Sequence, residues 1–223
     1  MPTLTKNVSA DRAPQPVSGT TPVTANAQTA GPLVLDSHHL RPYVVVLENV
    51  LSADFCDQLM AEFAESDEWQ FARVGGQAEV DRDIRNVDVI ELSQRSILQK
   101  NAKVREGFEQ TLYGAGFKAV RHYQGLFPFC RIVEGRGFEL LRYHTGGFYR
   151  THTDSFKKVP RALTCSFALN DDFGGGDWSF FCGDYTLRPP KGSAVLFPSS
   201  FMFPHEILEV TSGKRYAVVT WMI

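Results

Sequence analysis

The stretch YHTGGFYRTHTD, residues 143–154, sets His152 and Asp154 two positions apart, behind a Gly-Gly and an aromatic pair. In an extended segment, residues i and i+2 point to the same face. An imidazole nitrogen and a carboxylate oxygen placed so converge on one point, as a divalent cation requires. One more histidine completes a face of two imidazoles and one carboxylate, which leaves the opposite coordination positions open. His205 is the candidate third ligand.

Outward from that stretch, His205 stands in FPHEILEVTSGKRYAVVTW, at the start of a predicted strand. Arg215 follows ten residues later, beyond a turn at Ser212-Gly213. A hairpin with that turn brings Arg215 back beside the strand that His205 begins. The planar fork of arginine matches a carboxylate. Three metal ligands with an arginine deeper in the site therefore suit a small dicarboxylic co-substrate. One of its ends chelates the metal, and the other meets the guanidinium.

The surrounding chain is β-like from Phe117 onward: FCRIVE, FELLRYH, GFYRTHTD, ALTCSFAL, DWSFF, SAVLF, EILEV and RYAVVTWM. ALTCSFAL alternates, with Leu163, Cys165, Phe167 and Leu169 on one face. Glycine and proline turns separate these runs. Such short strands at such spacing predict two facing sheets, a sandwich or jelly roll. Two helices are expected to brace it from outside. In the first, Ser52 is the N-cap, Asp54 suits the first turn, and Phe55, Leu59, Met60 and Phe63 share a face. The second spans about residues 96–113, with a stripe of Ile97, Val104, Phe108 and Leu112, and stops at Gly114 and Gly116. The polar segment between them, residues 71–92, reads equally as a loop or hairpin of the sheet and as a lid over a site.

Residues 1–34, rich in Pro, Thr, Ala and Val, bury too little apolar surface to offset their ordering entropy and read as a disordered tail. One domain is expected over 35–223, with helical support in 52–115 and a jelly-roll core in 117–223. The hydrophobic fraction of 43%, with 17 Phe, 7 Tyr and 3 Trp, fills a core of that size. A net charge of -2 gives no global reason to expect nucleic acid, and no apolar run reaches membrane-span length. The N-terminus lacks the apolar centre of a signal peptide, and four scattered cysteines form no CxxC. A cytoplasmic protein is expected.

From Phe138 to Ile223 the chain resembles the Fe(II)/2-oxoglutarate-dependent dioxygenases, in their prolyl 4-hydroxylase-like group. The family's first block is matched by Tyr143, Gly146, Phe148, Tyr149, His152 and Asp154. Its middle block is matched by Leu169-Asn170, Gly175-Gly176 and Phe180. Its last block is matched by Pro189 or Pro190, Gly192, Phe197, His205, Arg215 and Trp221. YVVVLENVLSADFCDQLM looks like the family's opening strand and helix. The resemblance implies a mainly β fold with flanking α-helices, the cupin-like double-stranded β-helix or jelly roll. It implies Fe(II) on His152, Asp154 and His205, 2-oxoglutarate held by Arg215 and hydrogen-bonded by Tyr143, and O2, with ascorbate as candidate reductant. Two positions depart from the pattern: Ala168 stands where the family often has Tyr, and Trp178 where Thr is usual.

The implied reaction is hydroxylation of an unactivated C–H bond, with a prolyl or other residue of a peptide or protein as the first choice of substrate. A free amino acid or another small metabolite is the alternative. A non-catalytic β-sandwich binding module is disfavoured because no ligand and no arginine is missing. A halogenase needs a vacant place where Asp154 stands, and a nucleic-acid demethylase calls for a basic groove. Trp178, Phe180 and Phe181 read as core. Arg142, Lys157, Lys158 and Arg161 read as solvated charges more readily than as contacts to an anionic substrate. His38, His39 and His122 lack completing ligands, and His144 alternates out of phase with Tyr143.

Overall fold

The computed structural model describes residues 37–74, 79–93, 102–132, 134–155 and 160–223. The expected tail, Ile97, Lys157 and Lys158 fall outside these residues. Among those described, the chain builds two facing antiparallel sheets. The major sheet has the order β1 (Val45–Leu47), β11 (Ala194–Pro198), β7 (Leu163–Ala168), β14 (Arg215–Met222), β5 (Glu139–Tyr143), β4 (Asp88–Glu91) and β2 (Gln70–Phe71). The minor sheet runs β10 (Tyr185–Leu187), β9 (Trp178–Phe180), β12 (His205–Ile207), β6 (Phe148–His152) and β3 (Arg85–Asn86). A short ribbon pairs β13 (Val210–Ser212) with β8 (Gly174–Gly175). This is the expected jelly roll with helices on one flank.

Alternation along the central strands makes the major sheet two-faced. On β7, Leu163, Cys165 and Phe167 join Leu140, Leu196 and Val218 in a core beneath the helices. The opposite face of the same strand, Thr164 and Ser166, looks into the space between the sheets. All of β7 is buried, so its polar residues are there to serve something inside the barrel.

Helix α1 (Ala53–Phe63) forms as its pattern predicts. The Ser52 hydroxyl accepts from the Phe55 N–H at 3.2 Å, and Cys56, Leu59 and Phe63 are buried. Helix α2 does not stop at Gly114 and Gly116 but runs Ala102–Leu126. A glycine inside a helix costs about 1 kcal/mol. Leu112, Ala115, Ala119, Val120 and Tyr123, all buried at helical spacing, outweigh that. The helix ends two residues before Pro128, which disfavours helical backbone in its predecessor. Val104 is 44% exposed, and Arg105 takes the inward position one residue on, paired with Glu68 at 2.6 Å. The run FCRIVE forms no strand among its described residues; beyond it, Gly135 makes an isolated bridge to Met222.

Of the two readings of segment 71–92, the one that makes it part of the sheet holds for its described residues: β3 pairs with β6 in the minor sheet, and β4 with β5 in the major. One further expectation changes. The hairpin expected at Ser212-Gly213 is absent. β12 lies in the minor sheet and β14 in the major, so Arg215 faces the His205 strand across the sandwich.

Candidate metal centre

His152 and His205 are directly paired across β6 and β12. From that pair, β12 advances two residues to Ile207 while β6 steps back three to Tyr149. The extra residue is a β-bulge, which turns Tyr149 and His152 toward the same cavity. β6 ends at His152, and Asp154 lies in the bend that follows rather than on the strand. Its carboxylate still reaches both rings: Oδ1 is 3.5 Å from His152 Nε2, and Oδ2 is 3.5 Å from His205 Nε2. One ligand atom from each residue lies within 4.8 Å of the others.

Each histidine is fixed by its other nitrogen. Nδ1 of His152 donates to the Arg150 carbonyl at 2.8 Å, and Nδ1 of His205 to the Phe203 carbonyl at 3.0 Å. A carbonyl only accepts, so the proton sits on Nδ1 and the Nε2 lone pair is free for a cation. The Thr164 hydroxyl donates to Asp154 Oδ2 at 2.7 Å and shares a 2.8 Å hydrogen bond with Ser199. Burial would raise the Asp154 carboxyl, but the two imidazoles and the Thr164 hydroxyl outweigh it and hold it below the usual carboxylate range. Burial pushes the His205 imidazole down to about 4, against the opposing pull of Asp154. At neutral pH the set is one carboxylate with His205 neutral, a donor set that fits Fe(II).

The ligands line one cavity together with Tyr143, Tyr149, Thr164, Trp178, Arg215, Trp221 and Arg85. Arg215 is 4% exposed, and its guanidinium lies 5.0 Å from the Tyr143 ring centre and 5.7 Å from that of Trp178. It has no hydrogen bond or ion pair with any described residue. Gly176 lets its stem pass, since a Cβ there would stand 3.2 Å from Arg215 Cδ. Desolvation lowers the guanidinium's proton affinity, with Tyr143 and Asp177 opposing. A buried cation with only ring faces beside it is a receptor for an anion. Tyr143 is buried on the same side, and burial raises its phenol pKa.

All five residues singled out from the sequence thus meet in one cavity. Trp178, read as core, lines it too and lies 5.6 Å from the His205 ring centre. Arg85 was not singled out. Its guanidinium lies 4.8 Å from the Tyr149 ring centre, and that ring stacks on His152 at 3.5 Å. Thr164 could have been found: with Ser166 it makes the second face of a buried strand polar. Arg142 is not a solvated charge, and it does not line the cavity. It pairs with Asp88 at 3.0 Å and covers the Trp69 ring at 4.1 Å. Arg161 donates to the Asp154 carbonyl and lies over Trp221. His144 faces outward, onto Asp88.

Residues 138–223 match the family model described as the 2OG-Fe(II) oxygenase superfamily. A PKHD-type hydroxylase of Psychrobacter sp. (strain PRwf-1) is 34% identical over 101 residues, 44% of this chain and 36% of that protein. One of Parvibaculum lavamentivorans is 33% identical over 89 residues, 37% and 40% of the two chains. The match therefore spans less than half the length of these relatives. Among solved structures, a Trichoplax adhaerens prolyl hydroxylase in complex with a hypoxia inducible factor peptide fragment superposes with a TM-score of 0.67. It is 18% identical, over 83% of this chain and 86% of that one. A Pseudomonas putida prolyl-4-hydroxylase has a TM-score of 0.60 and 24% identity, over 81% and 92%. The fold is that of the prolyl hydroxylases. The segment matched by the 2OG-Fe(II) oxygenase superfamily model is the one that carries His152, Asp154, His205, Tyr143 and Arg215. Among the described residues no helix is long and apolar enough to cross a membrane.

Proposed function

We propose that this protein is an Fe(II)- and 2-oxoglutarate-dependent dioxygenase that hydroxylates a prolyl or other residue of a peptide or protein. The observation that carries this reading is a buried guanidinium, without an anionic partner among the described residues, in the same cavity as two histidines and a carboxylate. His152, Asp154 and His205 hold the metal on one face and leave the other to ligands. Arg215 takes the far carboxylate of 2-oxoglutarate, and Tyr143 donates its hydroxyl to the same molecule. Trp178, Ile207 and Val219 keep water from that end of the cavity. Bound Fe(II), with 2-oxoglutarate and O2, supplies the oxidising chemistry and releases succinate and CO2, with ascorbate as reductant.

The hydroxylase names of the relatives and the peptide-bound prolyl hydroxylase support a peptidyl substrate. A free amino acid is the second reading. Arg85 lines the cavity, a second cation there that suits the carboxylate of such a substrate. Succinate release, measured with Fe(II) and 2-oxoglutarate over proline-containing peptides and free amino acids, separates the two. Asp154→Ala is expected to abolish turnover. Undiminished 2-oxoglutarate consumption by that variant refutes the assignment, and no turnover with any substrate favours a binding module.

A further inference from the structure

The guanidinium of Arg215 lies between ring faces, with no hydrogen bond to a described residue fixing its direction, so its aim depends on the backbone that carries it. On one side that backbone is secured by β5, where Arg215 pairs with Tyr143. On the other side the ladder with β7 ends at the pair Ala217–Ala168, two residues short of Arg215. Asn170 stands where β7 has turned away. Its Oδ1 accepts from the Tyr216 N–H at 2.8 Å, and its Nδ2 donates to the Lys214 carbonyl at 2.8 Å. The side chain therefore grips the backbone groups immediately before and after Arg215. Nδ2 also donates to Asp172 Oδ1 at 2.7 Å, which fixes the orientation of the amide. Asn170 is 8% exposed, so water is a poor replacement for these partners.

We propose that Asn170 is the positioning residue for Arg215: its carboxamide continues the ladder where β7 stops and so sets how tightly the far carboxylate of the co-substrate is held. The carboxamide accepts from one flanking group through its oxygen and donates to the other through its nitrogen. The proposal rests on the functional reading above, because it needs Arg215 to bind that carboxylate.

The test uses the full chain loaded with Mn(II) under anaerobic conditions and two ligands followed by calorimetry. One is 2-oxoglutarate; the other is 2-oxovalerate, of equal length but with a methyl group in place of the far carboxylate. Asn170→Ala is expected to weaken 2-oxoglutarate about tenfold, the scale of one net hydrogen bond to a well-placed group. Binding of 2-oxovalerate and of Mn(II) should stay unchanged. In an Arg215→Ala background the same substitution should have no further effect on 2-oxoglutarate. Equal weakening of both oxo acids, or an additive loss in the double variant, overturns the proposal and leaves Asn170 a general support of the fold. If Asn170→Ala does not fold, Asn170→Asp carries the test. It keeps the acceptor for Tyr216 and loses the donor to Lys214, so it should show the same selectivity. A parent protein that binds Mn(II) and 2-oxovalerate, but gains nothing from the far carboxylate, refutes instead the role given to Arg215.

Discussion

A guanidinium buried between the rings of Tyr143 and Trp178 has given up its hydration for interactions that replace only part of it. An incoming carboxylate recovers that deficit, so the arginine is expected to dominate co-substrate binding. Arg215→Ala should weaken 2-oxoglutarate by about 2–5 kcal/mol, the usual scale for one partner of a buried charge pair. Arg215→Lys should fall between, since it keeps the charge and loses the fork. Titrating 2-oxoglutarate into the anaerobic Fe(II) protein checks both; a variant that binds as tightly as the parent shows that another group holds the carboxylate. The cysteines differ as sharply in their surroundings. Burial pushes the thiols of Cys56 and Cys165 up to about 11 and 12, while Cys182 is exposed. A raised pKa means less thiolate at pH 8, so iodoacetamide should label Cys182 first and reach Cys56 and Cys165 only in denaturant. Early labelling of Cys165 would mean that the core under β7 opens readily.

The long helix α2 carries a cost that the fold does not need. Gly114 lies in its interior, and a Cβ there would meet nothing within 4 Å. Gly114→Ala should therefore stabilise the protein by about 0.5–1 kcal/mol, through helix propensity and a less flexible unfolded chain. An unchanged or lower melting temperature would argue that the glycine is used for a close approach. Gly176 is the opposite case. Its φ is +67°, and a Cβ would stand 2.9 Å from Val210 Cγ2 and 3.0 Å from Phe173 Cε2. These contrasts explain what the sequence could tell about elements. The Ser52 cap and the face of α1 follow from local chemistry and are as expected. The end of α2 is decided by Ala115, Ala119 and Tyr123 packing on the sheet, a tertiary gain that outweighs two glycines. At Ser212-Gly213 the turn itself is legible, but not the sheet its second strand joins. β13 pairs with β8, where the missing Cβ of Gly175 lets the chain approach Glu209, while β14 pairs with β5 and β7.

Across the molecule, legibility follows sequence distance. His152 and Asp154 lie within one short motif, and His205 and Arg215 within another, so the sequence exposes them, although the hairpin expected to carry Arg215 is not how it reaches the cavity. Arg85 reaches the cavity from an edge strand nearly seventy residues upstream, and only the pairing of β3 with β6 brings it there. The jelly roll closes these distant strands around the triad, so metal binding there would be a property of the folded barrel and linked to its stability. A cation that binds only the native set stabilises by about 2.7 kcal/mol at a hundredfold excess over its dissociation constant. For a chain of this size each kcal/mol raises Tm by about 2–4 °C, so Mn(II) should raise the melting temperature by roughly 5–10 °C. Asp154→Ala should abolish that shift, because two imidazoles remain without the anionic ligand. Arg215→Ala should keep the metal shift and lose the further rise that 2-oxoglutarate adds to the parent. Thermal unfolding of the three proteins, with and without metal and co-substrate, reads both effects in one experiment. A metal shift that survives in Asp154→Ala would place the cation elsewhere on the chain.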